Sequence, residues 1–417
     1  MRHPINVLYA VSFSLSAAGG SGALLAQDRQ VIDTDHVRLR VETIATGLNH
    51  PWGIALLPDG RYLVTERNSG DLRIGNGRGE LSVPVEGVPD TFRYIGETSS
   101  SQGGLFHVAL HPNFAENRLV YLSYSQPTSE GAGTAISRGR LDESGGEPRL
   151  ENVELIFSMN KHDSGGLHFG GRFAFDPRDD TIYLSIGDRR NKSRAQDPQD
   201  HAGTIVRISD EGETPPDNPF VNDPDKDEMI YSWGHRNIQG MAIHPQTGEL
   251  WVNEHGPLGG DEINLVKPGR NYGWPIQTGG VDYSGAPVGR GAVVEGFEPP
   301  VHIWEKTVAP SGLAVYAGQL FPQWQGDLLH GGLVAEGVIR TRISNGEVVE
   351  NEVMLTELGR RIRDVQVDRE GAIWLVTEHE NGEVLRLVPE EPVATGTIPR
   401  QRPPFVTGTI PGKQQKE

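Results

Sequence analysis

The stretch GGLHFGGRFAFDP, beginning at Gly165, sets His168 between two glycine pairs just ahead of an apolar run. Imidazole gains and loses a proton near neutral pH, and small neighbours leave room for a substrate, so His168 is a candidate general base. Other histidines of the 14, such as His107, His111 and His244, lie in or beside repeated apolar segments and read as structural. In GHRNIQG, Arg236 and Asn237 precede another apolar run. An arginine there can pair with a carboxylate or polarise a carbonyl oxygen, or simply close a loop on main-chain carbonyls. Gln102, before Gly103 and Gly104, can hold its amide on a tight turn facing the same site, although an ordinary turn would look alike. Arg361 and Arg363 stand two apart, which on a strand directs both to one face. In NEHGPLGGDEINLVKPGRNYGWP, the carboxylate of Glu262, with Tyr272 and nearby loop carbonyls, suits a hard cation such as Ca²⁺, and Gly256 and Pro257 can offer main-chain carbonyls to a second ion. A solvated acidic loop is the plainer alternative. Together these residues describe a base, an amide, three arginines and cation ligands around one opening. Such a site fits a flat, multiply carboxylated cofactor held through a divalent ion.

The elements that must position these groups repeat along the chain. IALLPDG, VALHPNF, FAFDPRDD, MAIHPQTG and VQVDREG each end an apolar strand in a turn, and a weaker copy starts at Leu313. Each is followed by a second strand: YLVTER, VYLSYS, IYLSIGD, LWVNEH and WLVTEH. The unit is strand, turn, strand and a loop of variable length, with turn centres averaging about sixty residues apart. Six such units predict an all-β, six-bladed β-propeller of four-stranded antiparallel blades, with long loops on one face. A β-sandwich with a second domain is the competing arrangement.

Composition agrees. The 417 residues include 53 glycines and 29 prolines, which favours short strands and many turns. A net charge of -18 argues against a nucleic-acid partner and against docking on anionic lipid. With no cysteine, disulfides, thiolate metal sites and a CxxCH haem attachment are excluded. Residues 1–26 have a basic start, an apolar stretch too short to span a bilayer, and small residues before Gln27, as in a secretory signal. The expected organisation is a signal peptide at 1–26, a lead-in at 27–42, the propeller at 43–388 and a disordered Pro/Thr-rich tail at 389–417. Export without stable membrane insertion, most simply to the periplasm, follows from the leader.

The ordered fragments HFGGR, GHRNIQG, NEHGP, GGDEINLVKPGRNYGWP, VAPSG and RIRDV resemble the soluble quinoprotein dehydrogenases of the glucose/sorbosone dehydrogenase family, over about Thr43 to Leu387. The resemblance is strongest to its aldose sugar dehydrogenase branch. It implies pyrroloquinoline quinone (PQQ) and Ca²⁺ on the loop face, and oxidation of the anomeric C1 hydroxyl of an aldose to the lactone, with electrons passing to an external acceptor. It implies that His168 is the base and that Arg236 stabilises charge on the quinone oxygen. Gln102, Arg236, Asn237, Thr307, Arg361 and Arg363 would line the quinone site. Gly256 and Pro257 would give carbonyl oxygens to the cofactor Ca²⁺, with Glu262 and Tyr272 at a second Ca²⁺. The chain departs from the pattern at Val334, where relatives carry a lysine against the cofactor. Two other functions fit the same opening: a Ca²⁺-dependent propeller lactonase or hydrolase, which has little use for paired arginines, and a non-catalytic exported propeller that binds carbohydrate or protein.

Overall fold

The computed structural model of the chain describes residues 29–93 and 101–390. The proposed leader at 1–26 lies outside these residues, as does the tail from residue 391 onward. Six antiparallel sheets follow one another along the chain as the blades of a β-propeller ring. Their innermost strands are Pro51–Leu56, Leu105–Leu110, Phe173–Phe175, Ile238–Ile243, Pro310–Val315 and Ile362–Val367. These are the strands of the sequence repeat, each turning into the second strand of its blade. The second strands Tyr62–Glu66, Ile182–Ile186, Leu250–Glu254, Leu328–Gly332 and Ile373–Thr377 are buried at every position. A strand covered on both faces needs no polar alternation, and these are rich in Val, Leu and Ile accordingly.

The hydrophobic core is divided into wedges between neighbouring blades. Leu63 and Leu72 of the first blade pack with Val108, Val120 and Leu122 of the second. Leu329 and Val338 of the fifth pack with Val365 and Leu375 of the sixth. Ile54, Tyr62 and Val64 of the first meet Trp374, Val376 and Val384 of the sixth, which closes the ring. Strand pairing also closes the ring: the early strand Arg38–Leu48 is the outer antiparallel partner of the late strand Gly382–Pro389, with Val41 opposite Leu387 and Thr43 opposite Leu385. Residues expected only to lead into the fold therefore belong to it, because Arg29–Asp33 and the start of Arg38–Leu48 extend the sixth blade to five strands. The first blade has three strands and ends in a single bridge, Gly75 to Leu81. The remaining four blades have four strands each.

One irregularity recurs. The inner strands of blades one, two, four, five and six each slip register near their first residues, at Pro51/Ile54, Leu105/Val108, Ile238/Gly240, Pro310/Leu313 and Ile362/Asp364. Such bulges turn side chains out of the regular alternation, and they cluster beside active sites. Here the bulged segments carry Trp52, Phe106, Gln239, Ser311 and Arg363.

Candidate active site

The bulged ends of the inner strands and the loops around them enclose a cavity of about 410 Å³. Its wall includes Gln102, Phe169, Gly170, Asn237, Arg361 and Arg363, drawn from four different regions of the chain. His168 and Arg236 stand one residue beyond the wall residues Phe169 and Asn237.

His168 is held in a left-handed conformation, φ 52°, flanked by Gly170 and Gly171, which also have positive φ. Its main-chain N–H donates to Gln102 Oε1 at 2.7 Å. Gln102 in turn donates its own N–H to Gly166 O at 2.8 Å. The glutamine thus fastens the histidine loop as well as lining the cavity. Gly187 is required for the same loop: a Cβ there would lie 2.3 Å from His168 O. Arg189 donates to Leu167 O and Gly165 O, and its guanidinium lies 3.5 Å from the Phe169 ring centroid.

The side chain of His168 is oriented by a residue the motifs did not single out. Nδ1 lies 2.6 Å from Asp188 Oδ1. Asp188 also accepts from Arg190 N at 2.8 Å and, through Oδ2, from Trp274 Nε1 at 2.8 Å. A carboxylate can only accept, so Nδ1 carries the proton and Nε2 is the basic atom. Burial pushes the His168 pKa down to about 4, partly opposed by Asp188 and assisted by Arg236 and Arg190. Burial works against ionisation of Asp188, but the His168 bond and the nearby cations leave its carboxyl below the usual range. At neutral pH the pair is an uncharged imidazole on a carboxylate, the state required of a base.

Arg236 is buried, donates Nη1 to His255 O at 3.1 Å, and lies 5.3 Å from the Trp274 ring centroid. Its main-chain N–H donates to Glu254 Oε2 at 2.6 Å, and its carbonyl accepts from Asp188 N at 2.8 Å. Asn237 Oδ1 accepts from Gly170 N at 3.2 Å. Arg361 and Arg363 do reach one cavity, but not by simple alternation along a strand. Arg361 precedes the strand and donates to Leu333 O at 2.9 Å, while Arg363 sits in the bulge, buried, and donates to Gln239 Oε1 at 3.0 Å. Val334 is 54% exposed, with its N–H on Val308 O, and brings no cation.

The cation-binding candidates share one loop region. Gly256 N donates to Asp261 Oδ1 at 2.9 Å, and Asp261 Oδ2 accepts from Val308 N at 2.8 Å and Ala309 N at 2.7 Å. Thr307 Oγ1 accepts from Gly259 N at 2.9 Å, which ties Thr307 to the same loop. Among the described residues no hydrogen bond ends on the carbonyl oxygens of Gly256 or Pro257, so both are available to a hard cation. Glu262 lies directly across from Glu254 on the neighbouring strand. Burial, then the charges of Glu254 and Asp261, push its carboxyl well above the usual range. A divalent ion would relieve that crowding. The Tyr272 side chain is engaged within the protein. Its hydroxyl donates to Leu265 O at 2.7 Å and accepts from Lys267 N at 2.9 Å, and its ring stacks on His235 at 4.5 Å. Its main-chain oxygen, which accepts from Gln277 Nε2 at 3.2 Å and keeps a second lone pair, is the atom left to face a metal.

Behind the cavity, blades one, two, three and six converge on one buried ion pair. Arg172 Nη1 lies 2.8 Å from Asp364 Oδ1 and donates to His107 Nδ1 at 2.8 Å; Asp364 Oδ2 accepts from Ile54 N at 3.1 Å. The Arg172 guanidinium rests 4.1 Å from the centroid of Trp52, a cavity residue.

Arg67 and Glu378 also line the cavity, 2.7 Å apart, and with Asp188, Trp274 and the Arg172–Asp364 pair they are the site residues that sequence reasoning missed. A signal for some was present. The second strands of four blades end in or just before an acid: Glu66, Asp188, Glu254 and Glu378. Read as a repeat, these acids mark blades; read as chemistry, they mark the site-facing edge.

Comparison with known proteins identifies the family and the fold. The family described as Glucose / Sorbosone dehydrogenase matches residues 48–386. Aldose sugar dehydrogenase YliI of Escherichia coli (strain K12) is 40% identical over 354 residues, covering 84% of this chain and 93% of that protein. The crystal structure of the soluble aldose sugar dehydrogenase from Escherichia coli in the apo form superposes with a TM-score of 0.79, at 40% identity, over 84% of this chain and 99% of that one. The PQQ-bound aldose sugar dehydrogenase from Streptomyces coelicolor superposes with a TM-score of 0.68, at 30% identity, over 84% of this chain and 98% of that one.

Proposed function

The chain belongs to the glucose/sorbosone dehydrogenase family, and from that premise we propose that it oxidises the anomeric C1 hydroxyl of aldose sugars to the lactone, using PQQ and Ca²⁺ and an external electron acceptor. The observation that carries the reading is the buried His168–Asp188 pair beside an arginine-lined cavity. A propeller hydrolase has little use for those arginines.

When bound, PQQ would supply the acceptor for the C1 hydride, and Ca²⁺ would add Lewis acidity. The chain does the rest. His168 Nε2 takes the proton of the anomeric hydroxyl while Asp188 holds the ring and stabilises the imidazolium that forms. Loss of that proton and of the C1 hydride balances the conversion of sugar to lactone. Arg236 and Asn237 present donors from one wall, where negative charge must be stabilised. Arg361 and Arg363 hold carboxylates of the cofactor from another. Gln102 keeps the His168 loop in place. The free carbonyls of Gly256 and Pro257 suit the cofactor Ca²⁺, with Thr307 fixed beside them. Glu262 and the main-chain oxygen of Tyr272 suit a second Ca²⁺. Export to the periplasm belongs to the same reading and is supported by the composition of residues 1–26.

Reconstitution tests it. The apoprotein is supplied with PQQ and Ca²⁺, and dye reduction is followed with a panel of aldoses beside His168→Ala. Sugar-dependent reduction that needs both additions and is lost in the variant is the expected result. Absence of PQQ binding in excess Ca²⁺ would overturn the dehydrogenase reading in favour of a binding propeller or hydrolase.

A further inference from the structure

We infer that Arg67 is a direct ligand for a carboxylate of the bound cofactor, an inference that rests on the quinone reading above. Arg67 follows the second strand of blade one, whereas Arg361 and Arg363 belong to blade six. All three line the same cavity, and all three converge on Glu378. Arg67 Nη1 lies 2.7 Å from Glu378 Oε1, Arg361 Nη2 lies 3.5 Å from Oε2, and Arg363 Nη2 is paired closely with the same oxygen. The Arg67 side chain is only 12% exposed, so water screens it poorly.

Charge is left over. Among the described cavity residues Glu378 is the one carboxylate facing three guanidiniums. It is already ionised: although burial opposes its charge, Arg363, Arg67 and Arg361 hold its pKa at about 2. It has no further charge to give. Burial brings the Arg363 pKa down to about 10; the pull of Glu378 opposes this, and repulsion from Arg67 and Arg361 adds to it. Arg67 and Arg363 are largely shielded from water, and Arg361 stands at the more exposed edge, so like charges gathered there are a standing cost that an anion of several carboxylates relieves. A ligand entering the cavity meets cations from two adjacent blades, and its carboxylates can be held from both.

The experiment titrates apoprotein with PQQ in excess Ca²⁺, following cofactor absorbance and tryptophan quenching, with no sugar present. Arg67→Gln is expected to weaken binding at least about tenfold, as loss of a charge-assisted contact does. Arg67→Lys should recover much of that loss, and the apo melting temperature should move little, because Glu378 keeps two arginines. The same comparison is repeated in a Glu378→Gln background. A direct ligand weakens binding in both backgrounds, whereas a residue that only positions Glu378 has no effect once that carboxylate is gone. Equal binding by wild type and Arg67→Gln, no recovery in Arg67→Lys, or an effect confined to the Glu378 background would each overturn the inference while the cofactor reading stands. Failure of the wild type itself to bind PQQ is a different result, and removes the cofactor reading with the inference.

Discussion

His168 Nδ1 lies 2.6 Å from Asp188 Oδ1, and both side chains are buried. Twenty residues separate them in sequence. The bond decides which ring nitrogen is basic, and Trp274 Nε1, donating to the other oxygen of Asp188, decides which way the carboxylate turns.

Asp188→Asn tests that arrangement with almost no change of volume. Trp274 and Arg190 N both donate to Asp188, so the new amide keeps its oxygen toward one of them and can turn its NH₂ toward His168. A donor facing Nδ1 shifts the ring proton to Nε2 and removes the base. Turnover should fall by a factor on the order of 10²–10⁴. PQQ affinity, measured by titration, should change little. Equal losses in affinity and turnover would instead mean that Asp188 only holds the wall together.

The pH profile should carry the mark of a buried imidazole. His168 is neutral above about 4, against the ordinary 6.5, because burial outweighs the help of Asp188. The acid limb of kcat/KM, which reports the free holoenzyme, should therefore fall near pH 4 and not near 6.5. Stability has the same sign. Between 6.5 and about 4 the unfolded chain binds a proton at His168 that the folded chain does not. Its contribution is full above pH 6.5 and is lost as the pH falls toward 4. An acid limb near 6.5 would show that the ring is solvated.

Gly187→Ala should damage the site through the backbone. Its Cβ would meet His168 O at 2.3 Å and Asn237 Oδ1 at 2.7 Å, and the first is a main-chain atom that cannot rotate away. Overpacking of this kind costs about 1–3 kcal/mol, read from denaturant unfolding. The base and Asn237 move together, so activity should fall more steeply than stability. Unchanged kinetics would show that the His168 loop has slack.

Glu262→Gln separates the calcium effect from the fold. Glu262 faces Glu254 across the strands with Asp261 beside it, and a neutral amide removes that repulsion. Without Ca²⁺ the variant should melt at or above the wild-type temperature. With Ca²⁺ the wild type should gain stability that the chelator EGTA removes, while the variant gains less. A full Ca²⁺ response in the variant would move the second cation site elsewhere.

Much of this architecture was legible in sequence because it is local. A strand, a turn and a second strand are contiguous, so five clear copies and one weak copy announced six blades before any contact was known. The residues fixing backbone shape were equally plain: His168 between glycine pairs, and the open carbonyls at Gly256 and Pro257. Spacing misled where the strand was irregular. Arg361 and Arg363 were placed together by alternation, but the bulge at Ile362/Asp364 is what turns Arg363 inward. The spacing of Glu262 and Tyr272 did not show which Tyr272 atom faces a cation; the fold engages the hydroxyl with Leu265 and Lys267.

By itself, then, the sequence determined the blade unit, the number of its repeats and the residue types around the opening, since each depends on neighbours within a few positions. Only the tertiary structure decided the partnerships. Asp188 meets Trp274 across 86 positions, Arg172 meets Asp364 across 192, and Arg67 meets Glu378 because the last blade closes against the first. A ring brings one end of every blade to a common centre whatever the length of chain between them. Which side chains share that centre depends on bulges and burial, and neither is written in the spacing of residues along one strand.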